Sequence, residues 1–279
     1  MLNLPFLSPL SASQKQRWET DGYLLLKGAV GAAELEKISA SVENNWLHRE
    51  NNPHHVDVIT GAYAGHSFKM SDAPLEVKNE SYKLNNLFLM DEAIRSVALS
   101  PYLKRVMHAL LAAEPMICNS LNFERGSQQD AHIDSWYMPA PTDDGMVAAS
   151  ISLDTVDDTN GPIFFYPGSH KIPPYRFSDG RLNLINDEFV ACKNYLESEI
   201  EKRNLKLERL SSQPGDVFIW NGQLIHGGSP ISDFARTRKS MVIHYWRAMD
   251  VDKSSVRRDT KKRAYLGHTL RGELGSIPA

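Results

Sequence analysis

The sequence predicts a mostly β fold with N-terminal helices, namely a cupin-like double-sheet jelly roll. Two observations predict it. Apolar residues recur at helical spacing near the start, whereas after about residue 115 short apolar runs such as GDVFIW and KSMVIHYW alternate with turn residues. Several short strands joined by tight turns are typical of jelly rolls. The chain has 279 residues, 42% of them hydrophobic and 23% charged, and no internal repeat, so one domain over residues 1–279 is expected.

The N-terminal part, residues 1–114, is expected to be mainly helical support. Ser13 can cap a first helix, and Gly22 is placed to end it. A short apolar run at residues 23–26 predicts a strand, and apolar spacing over residues 32–46 predicts a second helix.

The next segment divides into a loop and a broken helix. Residues 47–80 are polar and rich in His, Asn, Asp and Gly, which favours a long ordered loop that could cover a site. Residues 91–113 again show helical spacing, interrupted near Pro101.

The jelly-roll core is assigned to residues 115–250. The Asn-Gly dipeptides at 160–161 and 221–222 are strong hairpin signals. A helical pattern over residues 186–204 interrupts the strands and is interpreted as an insertion between them. Residues 251–279 are then left as a C-terminal tail.

Composition excludes several classes of protein. The chain has 31 Lys and Arg against 34 Asp and Glu, so there is no bulk charge to attract nucleic acid or an anionic membrane. No apolar run is long enough to span a bilayer, and Cys118 and Cys192 alone cannot build a disulfide framework. The first residues lack a basic segment and contain Pro5 and Pro9, which argues against a signal peptide and for a cytoplasmic location.

The chemistry is indicated by an H-x-D triplet, His132 to Asp134. In an extended chain both side chains point to the same face. His226 follows about 90 residues later, before a Gly-Gly turn at the end of another apolar run. Two histidines and one carboxylate are the facial triad of non-heme Fe(II) oxygenases. The second triplet, His55 to Asp57, lies in the predicted loop and is interpreted as a chance occurrence.

A guanidinium follows the distal histidine. Arg238 lies twelve residues after His226 and enters the alternating run KSMVIHYW, so it can bind a carboxylate through paired N–H donors. Arg236 is the nearby alternative. His244 shares the strand parity of Arg238, but a packed core histidine is the preferred interpretation.

At this point the sequence resembles the phytanoyl-CoA dioxygenase family of Fe(II)/2-oxoglutarate oxygenases. Five segments in the same order carry the resemblance: RWETDGYLLLKGAV, FERGSQQDAHID, DDTNGPIFFYPGSHK, PGDVFIWNGQLIHGGSP and RKSMVIHYW. The resemblance covers most of the chain and is more specific than any one motif.

The resemblance implies a double-stranded β-helix with iron at its open end. The implied Fe(II) ligands are His132, Asp134 and His226. Arg238 would pair with the C5 carboxylate of 2-oxoglutarate, and Lys83 matches a family lysine near this co-substrate. Ser150 departs from the family, since some members carry a tryptophan there.

The implied reaction consumes O2 and 2-oxoglutarate, releases succinate and CO2, and oxidises an unactivated C–H bond. Related halogenases lack the carboxylate ligand, so the presence of Asp134 favours hydroxylation. Desaturation, ring closure and epimerisation remain open alternatives.

Further side chains are candidates for the two binding pockets. Asn119 and Asn122 lie on one predicted strand, and at least one of them should face the interior. With Gln129, they are candidate partners of 2-oxoglutarate. The residues after the H-x-D triplet are candidate walls of a substrate pocket: Trp136, Tyr137 and Met138.

Two other functions stay open at this level. Two histidines and a carboxylate also suit Zn²⁺ in a cupin-like isomerase or hydrolase. A non-catalytic binding protein could keep the same fold. Because no basic cluster for an acyl-CoA stands out, a small natural-product or amino-acid-like substrate is expected; the sequence gives no oligomeric state.

Overall fold

The structure is a computed structural model that describes residues 8–270. Its helices are α1 Ala12–Asp21, α2 Ala32–Leu47, α3 Glu92–Ala98, α4 Pro101–Leu111 and α5 Phe189–Lys202. Its strands are β1 Tyr23–Leu26, β2 His55–Val58, β3 Ser67–Lys69, β4 Tyr82–Asn85, β5 Pro115–Phe123, β6 Met146–Ser152, β7 Ile163–Phe165, β8 Glu208–Arg209, β9 Val217–Asn221, β10 His226–Gly228, β11 Ser240–Arg247, β12 Val256–Arg258 and β13 Ala264–Leu266.

Two sheets form the jelly roll. The major sheet has the order β1-β9-β6-β11-β5-β4-β2-β3, and the minor sheet has the order β10-β7-β8. Neighbouring strands in these two orders pair antiparallel, while β13 adds to β5 in parallel and pairs with β12 as a hairpin. The predicted mostly β, jelly-roll class is confirmed.

Strand alternation gives the major sheet two different faces. Its outer face carries Met241, Ile243 and Tyr245 of β11, which share one buried cluster with apolar residues of α2, α3 and α4. Its inner face carries Val242, which packs with Phe165 of the minor sheet in a second cluster. Burying both faces stabilises the sandwich and reserves the space between the sheets for a site.

Local signals account for the first helix. Ser11, not Ser13, caps α1, because the Ser11 hydroxyl accepts the backbone N–H of Gln14 while the Gln14 side chain accepts the Ser11 N–H. Gly22 ends the helix as predicted, with a φ of 78° that only glycine adopts without strain. A Cβ at Gly22 would also lie 2.3 Å from Nδ1 of His170.

The loop predicted over residues 47–80 is wrong in part. β2 and β3 lie within it and extend the major sheet beyond β4. Val56 and Val58 are buried among the outer-face residues, whereas His55 and Asp57 alternate with them on the inner face. Because the inner-face residues His55 and Asp57 are polar, the composition of this strand resembles that of a loop.

Both Asn-Gly hairpin predictions are also wrong. The dipeptide at 160–161 lies between β6 and β7, and the one at 221–222 ends β9 and leads toward β10. In each case the two strands belong to different sheets. The turns therefore carry the chain across the sandwich. The predicted helical insertion is confirmed as α5, and part of the expected tail forms the β12–β13 hairpin.

Candidate metal centre

The two candidate histidine ligands lie side by side on the edge of the minor sheet. His132 and His226 form an antiparallel bridge. The backbone N–H of His132 donates to the carbonyl oxygen of His226 at an N···O distance of 2.8 Å, and the N–H of His226 donates to that of His132 at 3.0 Å. Their ring centroids lie 4.4 Å apart. Residues far apart in the sequence are thus held together by backbone hydrogen bonds.

Asp134 reaches the same point from a turn. The extended backbone predicted across the triplet continues through Ile133, but Asp134 begins a 3-10 turn, Asp134–Trp136. One ligand atom each from His132, Asp134 and His226 lies within 4.8 Å of the others, and all three residues are buried. No second group of this kind occurs among residues 8–270.

The imidazoles are oriented by backbone carbonyl groups. Nδ1 of His132 lies 2.8 Å from the Asp130 carbonyl oxygen, and Nδ1 of His226 lies 3.0 Å from that of Leu224. The hydrogen-bond network therefore assigns the proton to Nδ1 in both rings and leaves each Nε2 lone pair for a metal. This donor set fits a divalent transition metal.

The charge states also suit metal binding. Burial, followed by the neighbouring His226 ring, lowers the pKa of His132 to about 3, so the ring stays neutral. Burial alone would raise the pKa of Asp134, but the imidazoles of His226 and His244 outweigh it and hold that pKa below its usual value. A neutral His132 imidazole and an ionised Asp134 carboxylate are the forms of these two side chains that bind metals.

Asp134 has two further neighbours that the sequence did not single out as partners. The indole N–H of Trp220 donates to Asp134 Oδ2 at 2.7 Å. Nε2 of His244 lies 3.4 Å from Asp134 Oδ1, close to the 3.6 Å separation of Nε2 of His226 from the same oxygen. His244 was expected to be a satisfied core histidine, but neither of its ring nitrogens has a hydrogen-bond partner within residues 8–270.

Arg238 is a buried cation. It lies just before β11, is 3% exposed, and has a pKa lowered to about 10 by burial. It forms no ion pair with a carboxylate in the described part of the chain, and its Nε has no hydrogen-bond partner. Arg236 is less buried and pairs with Asp157 at 2.6 Å. A buried guanidinium of this kind fits an anionic ligand.

The other co-substrate candidates separate by face. Asn119 is paired in register with His244 and faces the interior, where its Oδ1 has no partner. Lys83 lies near Asp57, at 4.0 Å between Nζ and Oδ2. Asn122 faces the other way. Its register partners Met241 and Leu84 belong to the cluster under the helices, so its assignment to the co-substrate pocket is wrong.

The residues around the H-x-D triplet also occupy different places. Tyr137 lies beside the site, with its ring centroid 5.6 Å from that of His132, and its hydroxyl accepts the Gln129 side-chain N–H at 3.3 Å. Trp136 is buried in the apolar cluster that includes α5. Met138 belongs to a fourth cluster with Met116 and Trp246, among others.

A jelly roll that brings two histidines and one carboxylate together between its sheets has the architecture of non-heme metal proteins. The chain belongs to the phytanoyl-CoA dioxygenase (PhyH) family, whose model matches residues 18–238. The family predicted from the motifs is therefore confirmed.

Curated relatives are distant in sequence. The peroxisomal phytanoyl-CoA dioxygenase of Bos taurus is 23% identical over 78% of this chain, and the alignment spans 63% of that protein. A probable phytanoyl-CoA dioxygenase of Caenorhabditis elegans is 23% identical over 85% of this chain and 76% of its own length. The chain thus spans less than two thirds of the bovine relative.

Solved structures share the fold. The α-ketoglutarate-dependent carbocyclase SnoK from nogalamycin biosynthesis has a TM-score of 0.64 at 16% identity and covers 86% of this chain and 85% of its own. EctD from S. alaskensis with bound Fe has a TM-score of 0.63 at 17% identity, covering 89% and 80%. No helix within residues 8–270 is long and apolar enough to cross a membrane.

Proposed function

We propose that the protein is a non-heme Fe(II)- and 2-oxoglutarate-dependent dioxygenase that oxidises an unactivated C–H bond of a small molecule. The observation that carries this proposal is the convergence of His132, Asp134 and His226, each buried and each with one ligand atom within 4.8 Å of the others. Membership of the PhyH family supports the same reaction class.

The protein's part in the reaction is binding and orientation. His132 and His226 would present Nε2 lone pairs to Fe(II), and Asp134 would supply the negative charge. When bound, Fe(II) with 2-oxoglutarate and O2 supplies the oxidising power, and succinate and CO2 are released. A set of two histidines and one carboxylate would leave coordination positions of the metal open for the co-substrate.

Arg238 would hold the far end of the co-substrate. The guanidinium is buried and lacks a carboxylate partner among the described residues, so a C5 carboxylate would supply the missing charge. Asn119 faces the same interior and would donate its side-chain N–H to the co-substrate, whose oxygens only accept. Lys83 and Gln129 are proposed at the edge of the same pocket.

The substrate is proposed to be a small natural-product or amino-acid-like molecule, with Tyr137 on the wall that meets it. Structural neighbours include enzymes named for nogalamycin biosynthesis and an EctD complex with 5-hydroxyectoine. Curated relatives carry the name phytanoyl-CoA dioxygenase, so an acyl-CoA is the competing class. Hydroxylation is the proposed outcome because Asp134 retains the carboxylate ligand. Nucleic acid is not proposed as a partner, and the cytoplasm is the proposed location.

The deciding experiment measures succinate from 2-oxoglutarate with Fe(II) and O2, first without a second substrate. We expect slow O2-dependent succinate formation that a chelator stops. His226→Ala should abolish it, because two remaining ligands hold Fe(II) poorly. His108→Ala, an exposed histidine on α4, is the matched control. An activity that requires Zn²⁺ and needs neither O2 nor 2-oxoglutarate would contradict the proposal and favour a hydrolase or isomerase.

A further inference from the structure

Three neighbouring strands form a row of side chains beneath Asp134. Ala148 of β6 is paired in register with Trp220 of β9 on one side and with His244 of β11 on the other. All three side chains face the interior, and each residue is at most 2% exposed. Ala148 carries only a methyl group between these two larger side chains, and both rings have a nitrogen within 3.4 Å of an Asp134 oxygen.

The two rings approach different oxygens of the carboxylate. Trp220 donates its indole N–H to Oδ2 at 2.7 Å. His244 places Nε2 3.4 Å from Oδ1, the oxygen that also lies 3.6 Å from Nε2 of His226. Oδ1 is therefore the oxygen turned toward the metal ligands, and Oδ2 is already occupied by a donor.

His244 itself has no other use for its ring. Both ring nitrogens are buried without a hydrogen-bond partner in the described part of the chain, and Asp134 is the carboxylate nearest to them. A buried imidazole without a partner is costly, so its place beside Asp134 calls for a physical explanation. His244 is not a fourth ligand of the same set, because it is absent from the group whose ligand atoms lie within 4.8 Å of one another.

We propose that His244 is a positioning residue for the metal ligand Asp134, acting together with Trp220. This inference rests on the proposed function. When a metal is bound, His244 would donate Nε2–H to Oδ1, which lies 3.4 Å away, while Trp220 holds Oδ2. The two donors would keep the carboxylate from rotating, so that it presents Oδ1 to the metal. Outer hydrogen bonds of this kind orient ligands and raise metal affinity.

The test measures Co(II) affinity and the visible Co(II) spectrum of the purified metal-free protein, with no turnover required. His244→Leu should weaken Co(II) binding by about 10- to 100-fold, the usual effect of losing an outer hydrogen bond to a ligand. Its spectrum should shift because the carboxylate is free to rotate or to bind through both oxygens. His244→Gln keeps an N–H donor at similar reach and should recover most of the affinity.

Controls separate positioning from packing. His54→Leu makes the same substitution at another buried histidine, which neighbours Asp91 rather than the triad, and should leave Co(II) affinity unchanged. Trp220→Phe keeps a smaller aromatic ring, removes the N–H, and should lower the affinity as well, which keeps the test usable if His244→Leu folds poorly.

The outcomes are distinct. If wild type binds Co(II) tightly and His244→Leu binds it equally well with an unchanged spectrum, the role of His244 is refuted while the proposed function stands. Equal losses in His244→Gln and His244→Leu would also overturn it, since bulk and not the donor would then matter. If wild type does not bind Co(II), the proposed function and this inference both fall.

Discussion

At the scale of single residues, Arg238 offers the clearest test of co-substrate binding. It is buried and has no carboxylate partner within residues 8–270. Hydrogen bonds to charged groups contribute about 1.5–3 kcal/mol each, so Arg238→Ala should raise the KM for 2-oxoglutarate by roughly 10- to 100-fold. Arg238→Lys should be intermediate, because it keeps the charge and loses the paired donors.

Direct titration separates this effect from metal binding. The Kd for Mn(II) without 2-oxoglutarate should be nearly unchanged in Arg238→Ala. Arg236→Ala is the matched control, since Arg236 already pairs with Asp157 and should not affect 2-oxoglutarate. A wild-type KM for 2-oxoglutarate in Arg238→Ala would remove Arg238 from the co-substrate site.

The sequence indicates the metal ligands, but it does not indicate the side chains that contact and orient them. His132, Asp134 and His226 stand out because metal ligands are rare residue types at a motif spacing. Trp220 and His244 carry no such signal, and only strand register shows that both flank Ala148. The even spacing of His244 from Arg238 was the available clue, but it fits a packed histidine equally well.

At the scale of elements, the β12–β13 hairpin is fixed to the sandwich through Arg95 of α3. The guanidinium of this nearly buried residue lies 4.6 Å from the ring centroid of Tyr265 and 3.5 Å from Oδ2 of Asp259. It also donates to the carbonyl oxygens of Phe88 and Leu89. One side chain thus connects α3, the preceding turn and the hairpin.

Removing this connection should destabilise the protein. Asp259 keeps an ion pair with Arg263 at 2.6 Å, but Arg95→Ala takes the donor from the Phe88 and Leu89 carbonyl oxygens. It should therefore lower the free energy of unfolding by about 1–3 kcal/mol, the cost of leaving buried acceptors without a partner. Urea unfolding measures it. Arg105→Ala, at an exposed position of the neighbouring helix α4, should change it by less than about 0.5 kcal/mol. Equal effects of the two substitutions would show that the hairpin does not depend on Arg95.

Helices and strands were predicted correctly where the spacing of apolar residues fits only one kind of element. The prediction failed where that spacing fits two structures and packing in the folded protein decides between them. The amphipathic pattern of α4 and the capped start of α1 are local, and both helices were expected. β2 was missed because its inner face is polar. The Asn-Gly turns were misassigned because turn chemistry fixes the local backbone, not the sheet that the next strand joins.

At the scale of the whole molecule, ligand binding should be visible as stability. The ligands of one metal come from the minor-sheet edge and the Asp134–Trp136 turn, so binding links parts of the fold that unfolding separates. At 100 times Kd, a ligand adds about 2.7 kcal/mol, which corresponds to a rise in Tm of roughly 5–10 °C. Mn(II) with 2-oxoglutarate should raise Tm by this amount in wild type and not in His226→Ala. An equal rise in that variant would place the binding elsewhere.

Buried histidines should also make the metal-free protein sensitive to mild acid. Burial lowers the pKa of His54 to about 4 and that of His132 to about 3, against an ordinary value of 6.5. Between about pH 4 and 6.5 the unfolded chain therefore binds more protons than the folded one, and the free energy of unfolding falls as the pH is lowered through this window. Each histidine adds up to about 1.4 kcal/mol per pH unit.

Urea unfolding in chelator at about pH 5, 6 and 7 measures that slope. His54→Leu should reduce the change in the free energy of unfolding per pH unit by the contribution of one histidine, because leucine takes up no proton in either state. His108→Leu, at an exposed position of α4, should keep the wild-type slope, since that ring is in water before and after unfolding. If His54→Leu and His108→Leu give the same slope, His54 is not held neutral by burial, and the acid sensitivity of the fold has another source.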